Sequence, residues 1–250
     1  MRRALVVVAL LAVLAAPAAS ATQPKITVYA ASSLVNAFPA IAPNATYSFG
    51  GSNTLATQIK NGAPADVFAS ANMTLPRQLH DQGFCSKPVV FTRNALVIVV
   101  PTANPGHVKS VYSLTKPGVT VDVAAPGVPV GTYTQQILTN MNIAAAVNKN
   151  VVSQETSVAD VLAHVTSSAV DAGFVYATDA EAVPGQVKVI KIPAWAQPKV
   201  QYGICVVAAS ANKAAAAAFI SLVVSKKGQA KLRRFGFLPR VKPKHKHKKT

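Results

Sequence analysis

The sequence predicts an α/β protein made of two doubly wound lobes. Short Val- and Ile-rich runs alternate with helical patterns along most of the chain, the order that builds parallel sheets with helices on their faces. Small hydroxyl residues and glycines cluster just after those runs, in both halves of the chain. Those positions are the carboxyl ends of strands, where open α/β sheets place ligands, so residues from both halves point to a clamp. With 250 residues, 50% of them apolar, the chain can bury a sizeable core.

Taken in order, residues 25–29 and 46–49 read as strands. Residues 54–61 read as a helix, stopped by Asn61-Gly62. The Gly62-Ala63-Pro64-Ala65 turn precedes an apolar run at 67–69. Residues 74–82 are helical, with Pro76 tolerated in the first turn and Gly83 as the stop. Residues 89–91 and 95–100 are buried strands, ended by Pro101. A strand at 119–124 runs into the tight segment Pro126-Gly127-Val128-Pro129 and a helix to about Met141. Residues 157–165 are helical because Val158, Val161, Leu162 and Val165 recur at spacings of three and four. Strands follow at 172–175, 187–192 and 201–208, then helices at 213–224 and 226–234.

Charge is sparse and lopsided: 25 basic residues against 8 acidic, formally +17. Arg2 and Arg3 lie in a leader, and Arg240, Lys242, Lys244, Lys246, Lys248 and Lys249 lie in the last eleven residues. Without those eight the chain is still basic, but no helix carries a dense Lys/Arg stripe and no aromatics interleave with basic residues. Nucleic-acid binding is therefore disfavoured.

Residues 1–21 read as a secretory signal: a basic start, the apolar run 4–16, and Ala19-Ser20-Ala21 at the cleavage point. The apolar run is short for a membrane span, and no Cys stands at the cleavage point to carry a lipid. The mature chain is thus expected outside the cytoplasm. Residues 240–250, rich in Lys, His and Pro, read as a disordered basic tail. An exported chain with two cysteines favours a Cys85–Cys205 disulfide, the other reading being two buried thiols.

Catalytic signals are thin. None of His80, His107, His164, His245 and His247 sits in a nucleophile or metal motif, and the carboxylates are scattered. Asp66 and Asp179 read as turn or cap residues. No phosphate-binding or dinucleotide fingerprint stands at a suitable junction, so no cofactor is expected.

Two segments share one layout. Val28-Tyr29-Ala30-Ala31-Ser32-Ser33-Leu34 and Phe49-Gly50-Gly51-Ser52-Asn53-Thr54-Leu55 each run from strand to hydroxyl residues to helix. Helix N-termini offer unpaired N–H groups and partial positive charge, so two such junctions suit an oxyanion. Simple N-capping by Ser32, Ser33 or Ser52 is the alternative. Pro129 cannot donate, so the first donors of the following helix start at Val130, and Gly131 permits a close approach. A plain strand–helix turn is the other reading there. Tyr176 follows the strand Gly173-Phe174-Val175, and its phenol either donates to an oxyanion or bonds to backbone.

These motifs, with Gly62-Ala63-Pro64-Ala65-Asp66-Val67-Phe68, Arg93-Asn94-Ala95-Leu96-Val97, Val128-Pro129-Val130-Gly131-Thr132-Tyr133, Tyr176-Ala177-Thr178-Asp179-Ala180 and Phe235-Gly236-Phe237, resemble the extracytoplasmic molybdate-binding proteins of ABC transporters. The likeness runs in order from about Lys25 to Leu238. It implies a type II periplasmic-binding architecture, two α/β lobes joined by two crossing segments. Residues 22–93 and 203–239 would form lobe I, and 94–202 lobe II. It implies oxyanion ligands at Ser33, Ser52, Val130, Val158 and Tyr176, with Ser32, Asn53 and Gly131 nearby. These would be the only metal contacts, made through the oxygens of molybdate or tungstate. The segment 35–45 is shorter than usual and holds Pro39 and Pro43; Asn53 replaces the more usual Ser or Gly, and Asn72 an Asp.

A site built of neutral donors holds a dianion by charge-assisted hydrogen bonds and disfavours protonated oxyanions, whose O–H finds no acceptor. The implied function is a monomeric, non-enzymatic receptor that delivers molybdate or tungstate to an ABC permease. A sulfate receptor is the nearest alternative. An exported enzyme with a Ser33 or Ser52 nucleophile lacks a base in sequence context. A third reading makes the tail the active part, holding an anionic envelope surface.

Overall fold

A computed structural model describes residues 25–240, with ten strands in two five-stranded mixed sheets. The first sheet has the order β2-β1-β3-β10-β4, from β1 (Thr27–Ala31), β2 (Thr46–Gly50), β3 (Val67–Ser70), β4 (Val89–Asn94) and β10 (Val200–Val206). The second has the order β7-β6-β8-β5-β9, from β5 (Leu96–Pro101), β6 (Val121–Ala124), β7 (Val151–Glu155), β8 (Ala172–Tyr176) and β9 (Val187–Lys191). The leader at 1–21 and tail positions 241–250 lie outside the described residues.

The sheets are mixed, not wholly parallel as the sequence suggests. Strands β1, β2 and β3 are mutually parallel, as are β6, β7 and β8. Strand β10 runs against β3 and β4, and β5 runs against β8 and β9. The reason lies in the connections. Parallel neighbours need a long crossover, but β5 follows β4 after a single residue, Ala95, and enters the second sheet directly. Strand β10 re-enters the first sheet through residues 192–199, which hold only a short 3-10 turn.

The return crossing falls earlier than the sequence boundary at 202/203. Val200, Gln201 and Tyr202 pair with Asn94, Arg93 and Thr92, so all three belong to the first sheet, and so does Asn94.

Every residue of β3, β5, β6 and β8 is buried, which is why these strands read as largely apolar runs, with Ser70 and Asp122 the buried polar exceptions in β3 and β6. Helices α2 (Ser52–Lys60), α3 (Thr74–Asp81), α4 (Pro129–Asn140), α6 (Val158–Thr166), α8 (Lys213–Val224) and α9 (Lys226–Arg234) match expected segments, though α2 begins two residues early. Short elements escaped the sequence reading: α1 (Ala37–Ile41), α5 (Ala144–Asn148), α7 (Ala177–Glu181) and the half-exposed edge strand β7. The proline-bearing 35–45 segment is held by Tyr47, whose hydroxyl donates to the Phe38 and Ala42 carbonyls.

In the first lobe Phe38 packs edge to face on Phe219 and at a tilt on Phe91, and Tyr202 extends that cluster toward Phe237 and Tyr176. Cys85 and Cys205 are joined as a disulfide with Cα atoms 5.9 Å apart, tying β10 to the segment after α3. No helix among the described residues is long and apolar enough to cross a membrane.

Candidate functional site

A small cavity lies between the carboxyl ends of β1 and β2 on one side and the starts of α4 and α6 on the other. Ser32, Ser33, Gly51, Ser52 and Ala71 line it from the first lobe, and Val130, Val158 and Tyr176 from the second. The space open to the centre of a water-sized sphere is about 10 Å³. That is room for little more than one small group and shuts out organic solutes. No Lys or Arg lines it.

The two serines already carry hydrogen bonds. Ser52 Oγ accepts from the Ala71 amide at 3.1 Å, so its own hydrogen is available to a ligand. Asn94 Nδ2 donates to the Tyr202 hydroxyl at 3.3 Å, and that hydroxyl lies 2.9 Å from Ser33 Oγ. Ser33, Tyr202 and Asn94 thus form one chain of hydrogen bonds behind the cavity. When Tyr202 donates to Ser33, the Ser33 hydrogen is free for the cavity, and such chains strengthen each link. Neither serine caps its own helix: the N-cap positions are Ala31 and Gly51, and neither shows a side-chain cap bond.

Two further donors come from the backbone. Val128 is the N-cap of α4, so Pro129 occupies the first position and Val130 the second. Ser157 caps α6, its hydroxyl accepting from the Asp160 amide, and Val158 opens the helix. N–H groups in a first helical turn have no intrahelical acceptor.

Tyr176 completes the wall. It is 1% exposed, and its phenolic oxygen has no hydrogen-bond partner. An unpartnered buried hydroxyl costs about 1–3 kcal/mol. Burial pushes its pKa well above the usual tyrosine range, so it stays a neutral donor. The Tyr176 amide donates to Asp179 Oδ2 at 3.0 Å, and burial raises the Asp179 carboxyl to about 7.

The structure thus gathers Ser32, Ser33, Ser52, Val130, Val158 and Tyr176 at one place. It puts Gly131 elsewhere: a Cβ there would meet the Ala124 carbonyl oxygen at 2.2 Å, so this glycine lets α4 pack on β6. Asn53 is not on the cavity wall, and its Oδ1 is buried without a partner. Asn72 braces α3, its Oδ1 accepting from the Leu75 amide. The supporting Tyr202, Asn94 and Ala71 were not singled out as site residues from sequence. Tyr202 lies in an apolar strand with no motif of its own, and only the fold brings it 169 positions back to Ser33.

Gly51 marks where the lobes touch. A Cβ on it would lie 2.2 Å from the Thr156 carbonyl oxygen of the facing lobe. Its φ of −61° and ψ of 130° suit any residue, so the glycine is needed for space rather than conformation. Behind Ser32 and Ser33, a second interlobe cavity of about 450 Å³ is bordered by Asp179, Glu181 and Arg234.

Residues 26–238 match the family model described as bacterial extracellular solute-binding protein. The chain is 36% identical over 222 residues to a molybdate-binding protein of Mycobacterium tuberculosis, covering 85% of this chain and 84% of the relative. It is 32% identical to a molybdate-binding protein of Escherichia coli, over 88% of this chain and 91% of the other. Among solved structures, the periplasmic molybdate-binding protein of Azotobacter vinelandii superposes with a TM-score of 0.76 at 25% identity, covering 87% of this chain and 100% of that one.

Proposed function

The chain belongs to the bacterial extracellular solute-binding protein family, and on that premise we propose that it captures molybdate or tungstate between its lobes and delivers it to an ABC permease. The relatives named above as molybdate-binding support the ligand class. The carrying observation is the buried Tyr176 hydroxyl, left unpartnered beside Ser33 and a Ser52 whose oxygen already accepts an amide. A dianion would satisfy all three at once, together with the Val130 and Val158 amides. The wall offers donors and no lysine or arginine, so the ion's charge is met by hydrogen bonds alone.

The same wall discriminates. A protonated oxyanion presents an O–H with nothing to accept it, which disfavours phosphate near neutral pH. Sulfate, smaller than molybdate but of equal charge, is told apart only by the fit of the closed cage, while tungstate matches molybdate in size and charge. The protein works as a receptor with no catalytic step, cofactor or nucleophile, and as a monomer. It acts outside the cytoplasm after removal of residues 1–21, and the Lys-rich 240–250 segment adds salt-sensitive retention on an anionic envelope surface.

Calorimetric titration of the mature protein with molybdate, tungstate, sulfate and phosphate tests the reading. The expected result is tight binding of the first two and sulfate weaker by about tenfold or more, a difference of roughly 1.4 kcal/mol. Sulfate within that margin would remove the molybdate assignment and leave an oxyanion receptor of broader taste.

A further inference from the structure

Within the second lobe, outside the residues that line the cavity, β6, β7 and α6 bring three ionisable side chains together. His164 Nδ1 lies 2.8 Å from Asp122 Oδ2 and 3.3 Å from Glu155 Oε1. The chain has only eight carboxylates, and these two contacts are the only ion pairs among the described residues. So sparse a supply makes the convergence of two on one imidazole hard to assign to chance.

Asp122 is fully buried. Burying a carboxylate is costly unless its oxygens are matched. One oxygen faces His164; the other, Oδ1, has no hydrogen-bond partner, although the Val123 amide of the same strand lies near the carboxylate. Glu155 Oε1 is held in place by the Ser153 hydroxyl. The His164 side chain is 41% exposed and that of Glu155 17%, so the cluster opens to solvent on one side.

We propose that Asp122, Glu155 and His164 form a site for a divalent cation of the zinc class, which ties α6 to β6 and β7. The three ligand atoms lie within 4.8 Å of one another. Zinc takes imidazole nitrogen and carboxylate oxygen at about 2.0–2.2 Å in a tetrahedron, which sets ligand atoms ~3.3 Å apart. The Nδ1–Oε1 separation already has that value. The Nδ1–Oδ2 pair opens by roughly half an ångström as its hydrogen bond gives way to the metal. Two carboxylates balance the charge, water takes the fourth position from the open side, and the unmatched Asp122 oxygen gains a counter-charge beside it. Calcium and magnesium prefer six or more oxygens and gain nothing from the imidazole. The ligands come from three separate elements, so no sequence spacing announces them.

The tail histidines are removed first, by His245→Gln and His247→Gln in the full mature chain, so that the tail's His-x-His pair adds no zinc of its own. Zinc titration against a chromophoric chelator is expected to show one zinc per chain, undisturbed by excess magnesium, and zinc is expected to raise the melting temperature. Adding His164→Gln is expected to weaken zinc about tenfold or more and abolish that rise. Glu155→Gln, at a less buried position, repeats the test should the first variant not fold. Cobalt(II) is expected to give tetrahedral visible absorption in the parent only, with molybdate affinity unchanged throughout. A tail-substituted protein that binds no zinc, or binds it equally after His164→Gln, would show a bare histidine–carboxylate pair and overturn the site.

Discussion

A hydroxyl's direction is set by what its oxygen has already accepted. Ser52 accepts an amide and so keeps a hydrogen to give, and Ser33 does the same when Tyr202, itself accepting from Asn94, donates to it. Tyr176 has accepted nothing and given nothing. Tyr176→Phe should therefore cost about 1.5–3 kcal/mol of molybdate affinity, the worth of a hydrogen bond to a charged group. In the ligand-free protein the same change removes an unmatched polar atom, so its melting temperature should hold or rise. A fall in both would mean the hydroxyl is structural. Ser52→Ala should lose similar affinity and also leave the Ala71 amide unpaired, lowering stability. At Asp179, burial lifts the carboxyl from 3.8 to about 7. The folded state holds that proton more tightly than the unfolded chain. Its contribution to stability is then full below about pH 4 and is lost as pH rises to about 7, by at most roughly 1.4 kcal/mol per unit. Asp179→Asn keeps an acceptor for the Tyr176 amide and has no proton to lose. Urea unfolding of the ligand-free pair across that range should show a flatter slope and higher neutral-pH stability in the variant; parallel slopes would contradict the assignment.

Two kinds of helix start meet at the cleft, and glycine serves each differently. Helix α4 needs Gly131 to lie against β6, so that its Val130 amide is held where the cavity is. Helix α2 needs Gly51 because the Thr156 carbonyl just ahead of α6 comes within 2.2 Å of where a Cβ would stand. Both atoms at that contact belong to backbone or to its first side-chain carbon, so neither yields cheaply. Gly51→Ala should hold the lobes apart, weakening molybdate about tenfold or more. The first lobe's own packing, and so its melting temperature, should change little. Small-angle scattering should show no compaction of this variant on adding molybdate, whereas the parent compacts. Normal compaction would mean the cleft closes without this contact.

At the scale of the molecule, the two sheets are exchanged through their antiparallel strands: β5 leaves the first lobe for the second, and β10 returns. Strand β10 is the middle neighbour of β3 and β4, so the first sheet is complete only after the whole second lobe has been made. The Cys85–Cys205 bond spans 120 positions and locks that late strand in place. Closing so long a loop in the unfolded chain is worth about 4–5 kcal/mol on chain entropy. The paired change Cys85→Ala and Cys205→Ala should lower unfolding free energy by about 3–5 kcal/mol in urea, with molybdate affinity kept wherever the protein remains folded. A loss under about 1 kcal/mol would show that packing alone holds β10.

Sequence alone determined the alternating elements and the strand-end positions of Ser33, Ser52, Val130 and Tyr176 as candidate ligands, while Val158 entered only through the family resemblance. These are local properties: apolar period, helix-start residues and a proline without an N–H are written within a few positions of one another. Strand direction, the 200 rather than 203 crossing point, and the separation of Gly131 from the cavity were decided only by tertiary structure. So were the relay from Asn94 through Tyr202 and the meeting of Asp122, Glu155 and His164. Each of these depends on groups far apart in the chain, and no local pattern records which distant strand or helix will lie beside a given residue. The bonding of Ser33 is the sharpest instance. Its type and place are legible at position 33, but the partner that bonds its hydroxyl is a tyrosine 169 positions away.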